Sequence, residues 1–590
     1  MIVAMKKIAV IMQSKDASEG IKQLRKVGLV HVEHQQPPKS SDLGLLHDDL
    51  RLFEQAMDIL KREEVLESSV CPSETKDQVD FKAASRHVAD LWKRIDYLEE
   101  FARGLKQEIM EWQPWGDFNP ALVQELAARD IRIKFYQIPA SEFKMMPPEA
   151  IVKKVSVKNG NVYCLLISKG KTECAFKDIE LPKISPAEMR QRLEHNEAYT
   201  LDLKKRLKEC LCYHSALSAA RDELKKEIEF QEALGGMGQL SGITYLAGYA
   251  PAENEKDLLE LAKKEKWGIL ITAPGEEDNV PVLIRNPRWI AIISPIFKFL
   301  EILPGYRELD ISLPFLVFFS IFFGILIGDA GYGLVYALIT FILHQKARGK
   351  RRDTGAFFLF YTLSFCAIIW GILTGTFFGH EWVLKAGYKP LVPALAEDKG
   401  LQRFCFFLGA LHLSIGHGWR GILKLPSLSA LSDCGWICLL WAAFFIARML
   451  ILGDSFPFFG KWLIIAGVSA VVLFTNPQKN ILKGIGEGLG TLALSLMNSF
   501  TDVVSYVRLF AVGLAGVAIA DAFNAMAAMV GRSNVFMLLA GILIALIGNA
   551  LGIILGPVSV LVHGVRLNVL EFSGHANVSW SGISYKPLKE

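Results

Sequence analysis

From about Leu309 onward the chain is dominated by long apolar runs, whereas from Met1 to about Arg307 charge is dense. This segregation constrains the fold more than any other feature. A helix needs ~20 apolar residues to cross the hydrocarbon core, and lipid forces every backbone polar group to be satisfied internally. The 590 residues are 51% apolar yet 21% charged, so the chain is neither soluble nor embedded throughout. The expected fold is an α/β soluble half, residues 1–307, followed by an all-α membrane half, residues 308–590. A net charge of +4 gives no nucleic-acid signature. Cys210 and Cys212, or Cys434 and Cys438, lack the further Cys or His ligands of a zinc site, so no metal or cofactor is expected. The N-terminal MIVAMKKIAVIMQSKDASEG has no long apolar region before a cleavage site, which places the first half in the cytoplasm.

The soluble half opens strand–helix–strand: KKIAVIM, then EGIKQLRKVG ending at Gly28, then LVHVEH. Two long charged helices are predicted over 43–112 and 186–235. In the first, Leu91, Ile95, Leu98, Ala102, Leu105, Ile109 and Trp112 form a heptad seam. The second, from Met189 to Ile228, carries polar interruptions such as Asn196 and Thr200. An antiparallel coiled coil joining two small α/β lobes follows. One lobe is 1–36 with 286–300 nearby; the other combines the strand-rich insert 118–185 with 240–285. Asn159-Gly160 marks a hairpin turn between two strands of that insert. Gly170-Lys171-Thr172 resembles the end of a phosphate loop, but Leu165 stands where that loop needs glycine. No bound nucleotide is expected.

Eight spans are predicted at 312–328, 330–345, 355–379, 402–418, 435–453, 459–475, 488–528 and 534–570. The first two are short and split at Gly328-Asp329. The last two exceed 35 residues, so they are expected to tilt, bend or project beyond the bilayer. The basic run HQKARGKRR at 344–352 places that loop, the N-terminal half and the C-terminus in the cytoplasm.

Ionisable residues inside apolar spans are costly and default to functional candidates. Arg508 lies midway along the seventh span, with Ala511, Ala515 and Ile519 on its face and Gly513 and Gly516 nearby. Glu487, Thr491, Asn498, Asp502 and Ser505 approach it as a polar stripe. In the eighth span Asn549, Gly552, Gly556, Ser559, His563 and Arg566 recur at helical spacing. Glycines alone suit helix packing; two arginines need acidic partners, and the deep spans offer few. An always-protonated guanidinium facing small residues can drive a passing carboxylate into its ionised form, which is what the stator of a rotary ion motor requires.

At this point the chain resembles subunit I of prokaryotic V-type/A-type ATPases, the counterpart of eukaryotic subunit a. The resemblance rests on LRKVGLVH from Leu24 to His31, Pro114-Trp115-Gly116 and Gly248-Tyr249-Ala250-Pro251. It continues in Pro304, Tyr306, Glu308 and Asp310, in FFGILIGDAGYG at 322–333, and in Trp370-Gly371 through Phe378-Gly379. It ends in SYVRLFAVGLA at 505–515 and in His563, Arg566, Leu567, Glu571 and Phe572. The resemblance implies a multi-pass subunit of a prokaryotic inner membrane, with no catalytic site of its own. Its implied partners are a proteolipid rotor ring, peripheral-stalk heterodimers and the central-stalk cap subunit. Arg508 would be the stator arginine, Arg566 its partner, and Asp329 a group of the outer half-channel. Where relatives carry acids, this chain has Leu494, Ser495 and Gly556, so Glu487 or Asp502 is expected to serve the cytoplasmic side. Two rivals are a secondary transporter with a cytoplasmic regulatory domain, for which no inverted repeat between spans 1–4 and 5–8 is visible, and a structural membrane scaffold, against which the depth of Arg508 argues.

Overall fold

The computed structural model describes residues 1–38, 41–62, 80–143, 146, 151–158, 160–170, 174, 176–240, 242–347, 354–379, 387, 390–476, 481–532 and 535–589. Lys171 and Thr172 of the expected phosphate-loop end, Asn159 of the hairpin turn and the basic residues of 348–353 lie outside these. The chain divides into two compact units, one of Met1–Val10, Leu29–His31 and Gly248–Pro587, the other of Ile11–Gly28, Val32–Ala247 and Leu588–Glu590.

The elements of the N-terminal region begin with β1 (Met5–Gln13), α1 (Ala17–Val27), β2 (His31–Glu33) and α2 (Ser41–Leu60). They continue with α3 (Phe81–Trp112), α4 (Pro120–Ala128), β3 (Ile131–Pro139), β4 (Ile151–Lys158), β5 (Asn161–Lys169), α5 (Pro186–Glu209) and α6 (His214–Gly235). Gly28 closes α1 in the left-handed conformation, φ 65°, its N–H bonded to the Leu24 carbonyl as its position predicts. Asp80 caps α3 by accepting from the Lys82 and Ala83 amides. α3 and α5 run antiparallel: Lys204 pairs with Glu99 at 2.6 Å and Lys106 with Glu197 at 2.7 Å. Of the heptad seam, Leu91, Ile95, Ala102, Leu105 and Trp112 are buried. Asn196, the polar interruption of the facing seam, donates to the Leu98 carbonyl at 2.8 Å, so its burial costs little. Two differences from the expected helix pair are plain. α2 is a separate helix that joins the same core through Ala56, Met57, Ile59 and Leu60. The second helix is interrupted by a 3-10 turn at Cys210–Tyr213. β3, β5 and β4 form an antiparallel sheet in that order. Beyond these three strands the insert adds one isolated bridge, Phe135 with Ile179.

The chain goes on through β6 (Gly238–Leu240), β7 (Ile243–Pro251), α7 (Glu255–Glu265), β8 (Gly268–Thr272) and β9 (Pro281–Val282). Here the expected lobes are corrected. β7 and β8 flank β1 in a sheet of order β2-β7-β1-β8, so 240–285 sheets with the N-terminal strands and not with 118–185. Gly248 shows why this pairing is tight: a Cβ there would lie 2.3 Å from the His31 carbonyl oxygen. Nor does the unit boundary fall at 307/308. β10 (Ile583–Ser584) pairs in parallel with β9, and both strands belong to the first unit.

The membrane half contains α8 (Ser312–Ile327), α9 (Ala330–Ala347), α10 (Gly355–Thr374), α11 (Asp398–Lys424), α12 (Ala430–Ala447) and α13 (Gly460–Phe474). It ends with α14 (Ile481–Ser505), α15 (Val507–Gly531) and α16 (Val535–Ser559). Helices occupy all eight expected places, but eight crossings are not established. Among the described residues four helical stretches are long and apolar enough to cross a membrane, or five if the bent pair α8–α9 counts as one. α8 and α9 meet at 120°, and Gly328, φ 66°, takes the left-handed conformation at the corner. α13 is apolar but only 15 residues long. As expected, the last two stretches are long: Leu492–Gly531, 40 residues, and Phe536–Ala576, 41 residues. One core joins α8 and α11 to these stretches, gathering Phe315, Phe322, Phe406, Tyr506, Leu509 and Leu567.

Candidate functional site

α14 and α15 meet at Tyr506, whose fully buried ring lies against α11, with its hydroxyl 2.8 Å from His412 Nδ1. Gly409 makes room for that ring, since a Cβ there would meet it at 2.7 Å. Immediately beyond, Arg508 Nε donates to the Ser505 carbonyl at 3.2 Å and Nη2 to Glu571 Oε1 at 2.7 Å. Ser505 donates its hydroxyl to the same carboxylate oxygen at 2.9 Å. Arg566 Nε lies 3.6 Å from it. The arginine side chains differ in exposure, 24% for Arg508 and 56% for Arg566, around a Glu571 side chain that is 6% exposed. Glu571 Oε2 is buried with no hydrogen-bond partner among the described residues.

Glu571 is thus the acidic partner that the sequence reading did not assign. A carboxylate inside the last span qualified on cost alone. What hid its role is helix geometry: π-type turns at Val560–Gly564 and Leu567–Phe572 bring residues five apart onto one side. His563 lies in the first of these turns, its Nδ1 buried and unpartnered. Asp502 accepts from or shares a proton with His575 Nε2 at 3.1 Å, one turn before Ser505. The Glu487 side chain lies outside the described residues.

A second polar cluster stands on the other side of Arg508, at Asp521, which is ~20 Å further along α15 at 1.5 Å per residue. Asn524 donates to the Phe378 carbonyl at 2.7 Å, and Asn549 donates to Asn524 Oδ1 at 3.3 Å. Tyr332 donates its hydroxyl to Asn549 at 3.0 Å. Asp329 is 1% exposed and takes four backbone N–H groups: Gly331 at 2.7 Å, Tyr332 at 3.1 Å, Phe378 at 2.9 Å and Gly379 at 2.9 Å. It caps α9 and pins the 378–379 turn at the same time.

The small-residue faces divide. Gly552 and Gly556 admit Tyr332 and Tyr336 of this same chain, and Gly513 admits the Ile325 carbonyl. Ser559, half-buried at the end of α16, continues that stripe without a described hydrogen bond of its side chain. By contrast Ala511, Ala515 and Ile519 are exposed, and no other described part of the chain lies within 4 Å of a Cβ built at Gly516.

Helices long and apolar enough to cross a membrane, with Glu571 buried against Arg508 between them, are those of an integral membrane protein. No family model matches the chain. V-type ATP synthase subunit I of Borreliella burgdorferi is 32% identical over 621 residues, covering 100% of both chains. V-type ATP synthase subunit I 1 of Treponema pallidum is 30% identical over 632 residues, again covering 100% of both. A-type ATP synthase subunit I of Methanocaldococcus jannaschii is 28% identical over 408 residues, 61% of this chain and 57% of that one. A crystal structure of the cytoplasmic N-terminal domain of subunit I of V-ATPase covers 45% of this chain and 99% of its own at 16% identity. Its TM-score of 0.21 carries no argument. The chain belongs to the V-type/A-type ATP synthase subunit I family, a membrane subunit of a rotary ATPase complex.

Proposed function

We propose that this chain is the non-catalytic stator of the complex, carrying ions past a proteolipid rotor ring and anchoring the peripheral stalks. The observation that carries the reading is Arg508. It sits on a face left open by its own chain at Ala511, Ala515 and Ile519, between two polar clusters offset along the helix. Asp502 and Ser505 serve the cytoplasmic side, with Glu487 further out. Asn549 and Ser559 serve the outer side, where the Asp329 turn holds the α8–α9 corner in shape, and His563 lies near the arginines. Small exposed residues let a rotor helix approach, and the guanidinium ionises each rotor carboxylate that arrives. Eight spans cross the bilayer in this reading, α14 and α15 together making the seventh, with the N-terminal region and C-terminus cytoplasmic. The α3–α5 pair is a coiled-coil shaft resisting torque, and the central-stalk cap subunit docks nearby.

Arg566 tests the arrangement. It is more exposed than Arg508 and lies 3.6 Å from Glu571, against 2.7 Å for Arg508. In vesicles holding the assembled complex, Arg566→Ala is expected to reduce H⁺ or Na⁺ pumping less than Arg508→Ala does. Equal inactivity of the two would sink the graded barrier, and full activity of Arg566→Ala would make that residue a packing group. The N-terminal region is expected to bind stalk and no nucleotide: the purified chain should retain the stalk heterodimer and show no saturable ATP binding. Saturable binding that Gly170→Ala removes would contradict this.

A further inference from the structure

A chain of four titratable groups runs through the membrane half beside the arginine site. Asp502 Oδ2 is 3.1 Å from His575 Nε2, His575 Nδ1 is 2.9 Å from His417 Nε2, and His417 Nδ1 is 3.3 Å from Asp433 Oδ1. Three of the four side chains are nearly sealed, His417 at 5%, Asp433 at 2% and His575 at 8%, while Asp502 is 29% exposed. The imidazoles meet because Gly416 lets the 573–576 turn come close; a Cβ there would lie 3.2 Å from the Ala576 nitrogen. Trp436 stacks on His417 at 6.0 Å. At the sealed end Asp433 is held by Lys424 at 2.6 Å and faces Arg420 at 3.6 Å, and Arg420 also donates to the His575 carbonyl. Both cations thus face the Asp433 carboxylate. Among the described residues no group of three His, Cys, Asp or Glu is placed to hold a metal ion.

The protons do not match the gaps. Two neutral imidazoles bring two N–H protons, but the line has three donor–acceptor gaps. With both carboxylates ionised, one gap always sets a bare nitrogen against a carboxylate oxygen or another bare nitrogen. One added proton fills all three. It converts the histidine pair into a shared imidazolium, and Asp502 and Asp433 flank it with negative charge. The sealed end is locked by its salt bridges, so exchange runs through Asp502, one turn from Ser505 on α14. His575 is likewise one turn from Glu571, whose Oε2 is buried and unpartnered.

We propose that Asp502, His575, His417 and Asp433 form a proton-loading site, which holds one exchangeable proton in reserve and passes it through Asp502 to the ion path at Arg508. The transfer balances. Loading forms the missing N–H on the imidazole pair as the Asp502 carboxyl, itself protonated from water, loses its O–H proton; unloading breaks the His575 Nε2–H bond as an O–H forms on Asp502, which then gives that proton to a carboxylate on the ion path. No charge is left behind after a full cycle. The proposal rests on the stator reading and adds that the path is built to handle protons.

The test uses the assembled complex in sealed vesicles, reading ATP-driven acidification against pH on the uptake side. Asp502→Asn and His575→Gln are expected to slow pumping roughly tenfold or more, within the range for a positioned proton-transfer group. The alkaline limb of the profile should move to lower pH, because a path without a reserve fails first where protons are scarce. Asp502→Asn changes a partly exposed side chain and so guards against a folding failure. Pumping and pH profile like those of the unmodified complex in both variants would overturn the proposal. So would Na⁺ flux unaffected by either, and so would loss of assembly in both, which would make the network structural. Arg508→Ala serves as the control: normal pumping there counts against the stator reading itself, while an inactive Arg508→Ala beside a fully active His575→Gln counts against the loading site alone.

Discussion

Arg508→Ala is expected to abolish ATP-driven ion pumping while the subunit still assembles. A charge deep in a span costs about 2.5–3.5 kcal/mol by insertion scales. Without the guanidinium, each rotor carboxylate crossing this face must stay protonated or bear that penalty uncompensated. On the barrier that is a slowing on the order of 10²-fold, enough to take pumping to background. The loss should be specific to coupling, because the fold around Arg508 does not depend on it. Tyr506 and Leu509 are fully buried on their own account, and Glu571 keeps the Ser505 hydroxyl and the nearby Arg566. Arg508→Lys should recover little, since an ammonium offers a point charge where the site uses Nε and Nη2 in two directions. Reconstituted vesicles with matched subunit content would check this, and near-normal pumping by Arg508→Ala would remove the central assignment.

Asp329→Asn is expected to act on quite different grounds, lowering the amount of inserted protein. The carboxylate accepts four backbone N–H groups in a site 1% exposed. An amide can keep the three bonds to Oδ1, but its NH₂ must then face the Gly379 N–H. One donor is left buried without a partner and a charge-assisted cap is lost, on the order of 2–4 kcal/mol together. Against a typical total of roughly 5–15 kcal/mol, that is a large fraction. The damage should centre on the α8–α9 corner, where Gly328 and the 376–379 turn meet. Membrane-fraction yield and resistance to proteolysis would measure it. If the variant instead inserts in normal amounts and only ion flux falls, the carboxylate serves the outer half-channel directly and its capping bonds are incidental.

The sequence made some of this visible and hid the rest for identifiable reasons. Arg508 stood out because a permanently charged side chain in an apolar run has no cheap explanation. Gly28 was readable because only a left-handed residue ends such a helix well. The α3 seam is readable from its 3–4 spacing, and its partner helix from the same rhythm resumed after a globular insert. The 120° corner at Gly328 was read as a boundary between two spans, since composition carries no angle. The sheet was misassigned because β1 and β7 lie more than 200 residues apart, and nothing local tells a strand which partner it will take. His417 and His575, 158 residues apart, were invisible as a pair for the same reason. Glu571 stands in the last sequence motif, but α-helical spacing does not pair it with Arg566, because that segment makes a π-type turn.

That last departure has a hereditary side. Arg566 and Glu571 are five residues apart and share a face only through the wide turn at Leu567–Phe572. Such a turn is the trace of one residue more than a regular helix would hold between its neighbours. Substitution can drift along this stretch as long as size and polarity are kept. Losing or gaining a single codon cannot, because it would rotate every later side chain, His575 included, out of reach of its partner. The end of the last helix is therefore written in fixed measure, tolerant of spelling changes and intolerant of a change in length.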